Sequence, residues 1–138
     1  MRIVRSGAAF ASVFLAIAAL ASTASGTIPI GVRTVVLTVH HSTFSVSELD
    51  FARGQKVKFV VRNTDPIDHE LIVGPMPVQL RHESGREARH PPVPGEVSVP
   101  LYGTSSTTYA FDEPGTLWFG CHLPGHWDYG MQGRITVR

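Results

Sequence analysis

A cysteine, a histidine and a methionine follow one another at regular spacing near the C-terminal end of the chain. Four residues separate Cys121 from His126, and four more separate His126 from Met131. A further histidine, His69, lies well upstream at the start of a candidate strand. Cys121 is the only cysteine among the 138 residues, so no intramolecular disulfide can form. An unpaired cysteine is intermolecular, reactive or bound to a metal, and its neighbours decide among these.

These four side chains form a ligand set that suits copper. A thiolate and two imidazoles, with a weak thioether on the axis, make up a blue-copper site. The soft sulfurs favour Cu(I) and the imidazoles bind either oxidation state, so an electron is exchanged with little ligand movement. The sequence therefore predicts one type 1 copper ion held by His69, Cys121, His126 and Met131. The alternative is a metal-free domain in which Cys121 and Met131 only fill the core.

Short strands separated by turns must position these ligands. Runs rich in β-branched and alternating residues predict strands at Arg33–His40, Lys56–Arg62, Glu70–Val73, Glu96–Val99, Ser106–Phe111, Gly115–Phe119 and Arg134–Arg138. No helix of normal length is expected. Strands at this spacing predict an all-β fold, an antiparallel sandwich of two sheets. The residues expected between the sheets are Val35, Leu37, Phe59, Tyr109 and Trp118.

The chain resembles the cupredoxins, the blue-copper family that includes plastocyanin, azurin and rusticyanin. The resemblance rests on the N-terminal strand, the segment Asp-His-Glu-Leu-Ile-Val around His69, and the ligand loop with its closing Gly-Arg-Ile-Thr-Val. It implies a cupredoxin-like Greek-key β-sandwich of about seven to eight strands. It also implies that His69, Cys121 and His126 are equatorial copper ligands and that Met131 is the axial one.

The same resemblance implies a monomeric one-electron carrier. Redox partners would dock transiently near His126, Trp127 and Leu123, and the interface would be small. The alternative is a copper carrier or copper-tolerance protein that uses the same site. A metal-free binding module is a third hypothesis. Catalysis is not expected, because a site saturated by protein ligands leaves no open position for a substrate.

The ligand loop also resembles the last copper motif of multicopper oxidases. Those enzymes have a histidine directly before the cysteine, where this chain has Gly120, and paired His-x-His motifs that this sequence lacks. The oxidase interpretation therefore fails for the chain alone. In many simpler cupredoxins an asparagine after the first histidine bonds a hydroxyl residue after the cysteine. Glu70 and His122 occupy these positions here, and we expect them to pair and tie the two segments together.

The remaining sequence suggests how the domain is bounded. Residues 1–24 read as a secretory signal peptide, cleaved after Ala21 or Ala24, with an uncleaved anchor as the alternative. Residues 27–138 would form one periplasmic or extracellular domain without a membrane span. Residues 74–95 predict a long surface loop, with one helical turn near Val78–Glu83.

Two further expectations concern binding partners. The loop contains Met76, His82 and His90, so a secondary copper site there is the alternative to a solvated loop. The formal net charge of +1, with the basic residues scattered, gives no indication of a nucleic-acid partner.

Overall fold

Two β-sheets packed face to face form the body of the protein in a computed structural model that describes residues 31–83 and 91–138. The elements in chain order are β1 (Val32–His40), β2 (Thr43–Phe44), β3 (Glu48–Phe51), β4 (Gln55–Asn63), β5 (His69–Gly74), α1 (Met76–Glu83), β6 (Glu96–Val99), β7 (Thr104–Phe111), β8 (Gly115–Gly120) and β9 (Gln132–Val137). The first sheet has the order β2-β1-β4-β7 and the second β3-β9-β8-β5-β6.

Both sheets are mixed, so the expectation of a purely antiparallel sandwich is wrong. Strand β4 runs parallel to β1, from the pair Val32–Lys56 to the pair Val39–Asn63. Strand β3 runs parallel to β9 in the other sheet. The reason is the path of the chain. After β2 it crosses to the second sheet to form β3, and it then returns to the first sheet beside β1, where it runs in the same direction.

All seven predicted strands are present, and their ends differ from the predicted ones by at most two residues. The two strands that were not predicted, β2 and β3, are only two and four residues long. A segment of that length is too short for an alternating pattern to show. With them, the described residues contain nine strands rather than the seven or eight expected.

The core lies between the sheets and contains most of the residues predicted for it. Leu37 and Phe59 have no exposed surface, and Val35 and Tyr109 are partly buried against the core. The placement of Trp118 in the core was wrong. Successive side chains of a strand point to opposite faces, and in β8 the neighbours of Trp118 pack on the core, which leaves Trp118 on the outer face.

The segment after β5 contains a helix where a surface loop with a single helical turn was expected. Helix α1 spans Met76–Glu83, and its start tolerates Pro77 because the first amides of a helix have no partner within it. Arg81 and His82 in its last turn both contact the carboxylate of Glu96 at the start of β6. The helix is thereby attached to the edge of the second sheet.

Some predictions concern residues outside those described. The signal peptide at residues 1–24, its cleavage after Ala21 or Ala24, and any role of His90 remain predictions. Within residues 31–83 and 91–138, no helix is both long enough and apolar enough to span a membrane.

Candidate metal centre

Two neighbouring strands and one loop bring three of the predicted ligands together at one end of the second sheet. His69 is the first residue of β5, Cys121 directly follows β8, and His126 lies in the loop between β8 and β9. Strands β5 and β8 pair in antiparallel fashion, so the start of one meets the end of the other. As a result, one ligand atom from each of His69, Cys121 and His126 lies within 4.8 Å of the others.

The ligand atoms of this cluster face one another. Cys121 Sγ lies 3.2 Å from His126 Nδ1, and the rings of His69 and His126 have centroids 4.9 Å apart. His69 is 1% exposed, and its Nδ1 is buried without a hydrogen-bond partner. Buried polar atoms nearly always have a partner. A nitrogen left unpaired beside a thiol and a second imidazole is what a copper ion would bind, so the residues fit that metal.

A carboxylate fixes the other nitrogen of the same imidazole. His69 Nε2 lies 3.0 Å from Asp65 Oδ2. An ionised carboxylate can only accept a hydrogen bond, so Nε2 carries the proton and Nδ1 presents its lone pair. Burial lowers the pKa of His69, although the Asp65 carboxylate acts in the opposite direction. Burial alone would raise the pKa of Asp65, but hydrogen bonds from the amides of Ser42 and His41 and from His69 bring it below its usual value. Asp65 is therefore a carboxylate and His69 a neutral imidazole.

The thiol of Cys121 is completely buried. Burial raises its pKa to about 12, although the amides of Leu123 and Glu70 hydrogen-bond to the sulfur and act in the opposite direction. The negative charge of Glu70 adds to the increase. In the metal-free protein the sulfur is thus a protonated thiol at neutral pH. Since copper binds the thiolate, binding must release a proton from Cys121.

Main-chain hydrogen bonds close the ligand loop. The amide of His126 donates to the Leu123 carbonyl at 2.9 Å, the amide of Met131 to the His126 carbonyl at 3.0 Å, and the amide of Cys121 to the Met131 carbonyl at 3.1 Å. Glycines at the two bends, Gly125 and Gly130, have φ angles of 82° and 91°, which other residues rarely adopt. The loop therefore turns tightly enough to bring its residues back to the strand ends.

Met131 is placed in the loop but its role as a ligand stays a prediction. Its side chain is fully buried and belongs to the core cluster that also contains Cys121. Its main chain bonds to both of the other predicted loop ligands. A buried methionine in this position is available to the centre, and it also fills the core.

Glu70 and His122 pair as expected, but through the main chain of His122. The amide of His122 donates to Glu70 Oε1 at 2.8 Å, which ties the end of β8 to the start of β5. The imidazole of His122 points elsewhere: its Nε2 lies 2.8 Å from Gln79 Oε1, and its ring stacks on Trp127 with centroids 4.5 Å apart. Burial, with a contribution from His82, lowers the pKa of His122 to about 4. This imidazole is neutral at ordinary pH.

Gln79 is a buried residue that the sequence did not single out. It is 1% exposed on α1, and its Nε2 lies between 3.1 and 3.3 Å from three carbonyl oxygens, those of Ile72, Gly74 and Trp118. Its Oε1 accepts the hydrogen bond from His122 Nε2. Gln79 thus joins the helix to β5 and β8, the two strands that meet at the metal centre. Because the segment was expected to be a solvated loop, a glutamine in it carried no signal.

Replacing Gln79 by leucine is expected to destabilise the protein. The change leaves His122 Nε2 and the carbonyls on β5 and β8 without a side-chain partner, and a buried polar group that loses its partner costs about 1–3 kcal/mol. Urea denaturation of the metal-free protein measures the difference. The neighbouring Leu80→Ala, at a side chain 55% exposed, is the control and should change stability by less than about 0.5 kcal/mol. Equal stability of the two variants would contradict the role given to Gln79.

The position that holds a histidine in multicopper oxidases is closed here. A Cβ atom on Gly120 would clash with the indole ring of Trp127, at its Cζ3 and Cε3 atoms. That ring is the one on which His122 stacks. A larger residue at position 120 would therefore displace Trp127.

The structure gives no support to a secondary copper site on α1. His82 Nδ1 bonds to the Val78 carbonyl at 3.0 Å, and His82 Nε2 contacts Glu96 Oε2 at 3.1 Å, so both ring nitrogens are occupied. Among residues 31–83 and 91–138, the only cluster of three or more histidine, cysteine or acidic residues able to hold a metal ion is that of His69, Cys121 and His126.

Comparison with known proteins decides the family. A model of the plastocyanin/azurin family of copper-binding proteins matches residues 34–138, which is most of the chain. The chain belongs to this family. Copper is therefore the cofactor of this cupredoxin, and the cluster of His69, Cys121 and His126 is where the fold places the candidate ligands.

The curated relatives of this cupredoxin share one description. It is 31% identical to the copper-resistant cuproprotein CopI of Rubrivivax gelatinosus over 100 residues, which cover 69% of this chain and 59% of the relative. It is 37% identical to the copper-resistant cuproprotein CopI of Vibrio cholerae over 84 residues, covering 59% of this chain and 50% of that relative. The chain thus spans between half and three fifths of the length of these two relatives.

A solved structure shows the same fold. Auracyanin A, a blue copper protein from Chloroflexus aurantiacus, superposes with a TM-score of 0.63 at 22% identity, over 78% of this chain and all of that one. At this identity the likeness establishes the fold alone. The expected cupredoxin-like Greek-key sandwich is thereby confirmed, with the mixed sheets and the helix described above.

Proposed function

We propose that this cupredoxin acts in copper tolerance, binding one copper ion through His69, Cys121 and His126 with Met131 as axial ligand. The main support for the copper site is that three candidate ligand atoms, one of them a buried thiol sulfur, lie within 4.8 Å of one another. The observation that favours tolerance is the description shared by the relatives, which are named copper-resistant cuproproteins. The electron-carrier role expected from the sequence is therefore the second candidate.

The residues of the site would bind the metal and protect it from water. His69 presents Nδ1 from a buried ring whose Nε2 is held by Asp65. The thiol of Cys121 would lose its proton when copper binds. His126 is half-buried, so it is the ligand closest to solvent. Bound copper would supply one-electron chemistry, and the sulfur and imidazole ligands of this site would hold the ion as Cu(I) or Cu(II).

The second candidate, transfer of single electrons, is favoured by the enclosure of the site. Cys121 and Met131 have no exposed surface, and the flanking loop residues Leu123 and Trp127 are only partly buried. A redox partner would dock transiently on this part of the loop, beside His126, with the protein acting as a monomer. Such an interface would be small, as for other transient redox pairs.

Location and chemistry complete the proposal. Export to a periplasmic or extracellular compartment is proposed from the order of positive, apolar and small residues at positions 1–24. A role in binding rather than catalysis is proposed because four protein ligands would saturate the metal.

A copper titration followed by a transfer assay tests the proposal and separates its two candidates. We expect an intense thiolate-to-copper band that saturates at one equivalent of Cu(II). After reduction, the protein is mixed with a Cu(I) chelator, and electron self-exchange is measured on the loaded form. Release of Cu(I) to the chelator within minutes, with slow self-exchange, would support copper tolerance. Retention of the ion together with fast self-exchange would instead support the electron carrier, and no visible band would refute the copper site.

A further inference from the structure

The side chain of Asp65 joins the candidate ligand His69 to a turn on the first sheet. Asp65 is 4% exposed, and its Oδ2 lies 3.0 Å from His69 Nε2. The amide of His41 donates to Oδ1 and the amide of Ser42 to Oδ2, each at 2.7 Å. One buried carboxylate thus accepts hydrogen bonds from two amides of the turn between β1 and β2 and from the imidazole of His69.

The main chain around Asp65 leaves this carboxylate little freedom. The amide of Asp65 donates to Asn63 Oδ1 at 2.9 Å, and the carbonyl of Asp65 accepts from the amide of Tyr102 at 3.1 Å. These two hydrogen bonds hold the main chain of Asp65 in one conformation. On the other side, His41 and Ser42 have φ angles of 50° and 51°, in the left-handed region that non-glycine residues seldom adopt. Two consecutive amides in this conformation form a concave anion site, which the carboxylate fills.

We propose that Asp65 is a positioning residue that orients His69 for binding through Nδ1 and makes the centre favour Cu(II) over Cu(I). The inference rests on the proposed function, in which His69 is a copper ligand. A carboxylate that accepts the Nε2 proton fixes the tautomer and the ring orientation, and it makes the other nitrogen a more basic ligand. It also brings a negative charge close to the metal. Both effects stabilise the more highly charged ion, so Asp65 lowers the reduction potential.

The variant Asp65→Asn tests the inference on the loaded protein. Loss of such an outer partner costs about 10–100-fold in metal affinity, and we expect the loss to fall mainly on Cu(II). The reduction potential should therefore become more positive, by about 59 mV for each tenfold change in the ratio of the two affinities. The measurements are a redox titration of the visible band and competition assays for each oxidation state.

Asp68→Asn is the matched control. It removes the same charge from the same β4–β5 connection, and the charge of Asp68 acts on His69 as well, but its Oδ1 accepts from the amide of Leu101. A general effect of charge would shift the potential equally in both variants and would overturn the positioning role of Asp65. A clearly larger shift in Asp65→Asn supports it. An unchanged potential in Asp65→Asn, with the visible band intact, would overturn the inference while leaving the proposed copper site standing.

A second measurement needs neither copper nor a variant that folds. Nitrogen-15 spectra of the metal-free wild type report the tautomer of each histidine ring. We expect His69 to carry its proton on Nε2, with slow exchange of that proton, because Asp65 accepts it in a buried site. A proton on Nδ1 would overturn the inference. If the wild type bound no copper, the proposed function would fail, whereas this spectrum would still decide whether Asp65 orients His69.

Discussion

The variant Cys121→Ser is expected to lose the intense visible absorption of the copper-loaded protein completely. The band arises from the bond between a thiolate and Cu(II), and Cys121 is the only cysteine of the chain. A hydroxyl group in the same place is a poor ligand for copper, since soft sulfur donors give these sites their preference for the metal. Copper affinity should therefore also fall, and by more than the roughly 10–100-fold that loss of an outer hydrogen-bond partner costs, because a direct ligand is lost. Visible absorption and electron paramagnetic resonance with one equivalent of Cu(II) measure the effect.

Two controls make this result specific to the site. Near-ultraviolet circular dichroism of the metal-free serine variant should match the wild type, because serine is close to cysteine in shape at this fully buried position. The variant His40→Gln changes an exposed histidine outside the cluster and should keep the full band at one equivalent. A visible band that survives in Cys121→Ser would show that the cluster has been assigned incorrectly.

The second large effect is expected from Phe59→Ala, which should lower the free energy of unfolding by about 3–5 kcal/mol. Phe59 has no exposed surface, lies on β4 in the middle of the first sheet, and makes edge-to-face contacts with Phe51 and Phe111. Truncation to alanine leaves a cavity between the two sheets that rigid strands cannot close. Urea denaturation of the metal-free protein, with the slope of the transition compared between variants, measures the change.

The adjacent residue on the same strand provides the control. Lys58 is exposed on the opposite face of β4, so Lys58→Ala should change stability by less than about 0.5 kcal/mol. Since whole domains are stable by only about 5–15 kcal/mol, Phe59→Ala should also be the variant whose metal centre is lost first on heating. A stability within about 1 kcal/mol of the wild type would mean that the two sheets do not enclose Phe59 as described.

The ligand cluster and the strands could be predicted from sequence because both depend on local pattern. The spacing of Cys121, His126 and Met131 needs only one loop, and the alternation in Lys56–Arg62 identifies β4 without reference to other strands. Residues packed on one face of a long strand, such as Phe59, follow from the same alternation. The placement of Trp118 failed because β8 contains adjacent apolar residues, so pattern alone did not show which of them faces the core.

The direction of the strands and the partners of the ligands were decided only by the tertiary structure. Parallel pairing of β1 with β4 depends on where the chain crosses between sheets, which no local pattern records. The pair Glu70–His122 was anticipated from position, yet it forms through an amide, and the imidazole instead bonds to Gln79.

The sequence by itself identified the family and the metal, and it predicted the types of the ligands. Only the folded chain showed that Asp65 reaches His69 and that a helix supplies Gln79 to the same end of the sheet. The physical reason is that ligand identity is a property of single residues at short spacing. Orientation, burial and hydrogen bonding of those ligands instead depend on side chains that distant segments bring to them.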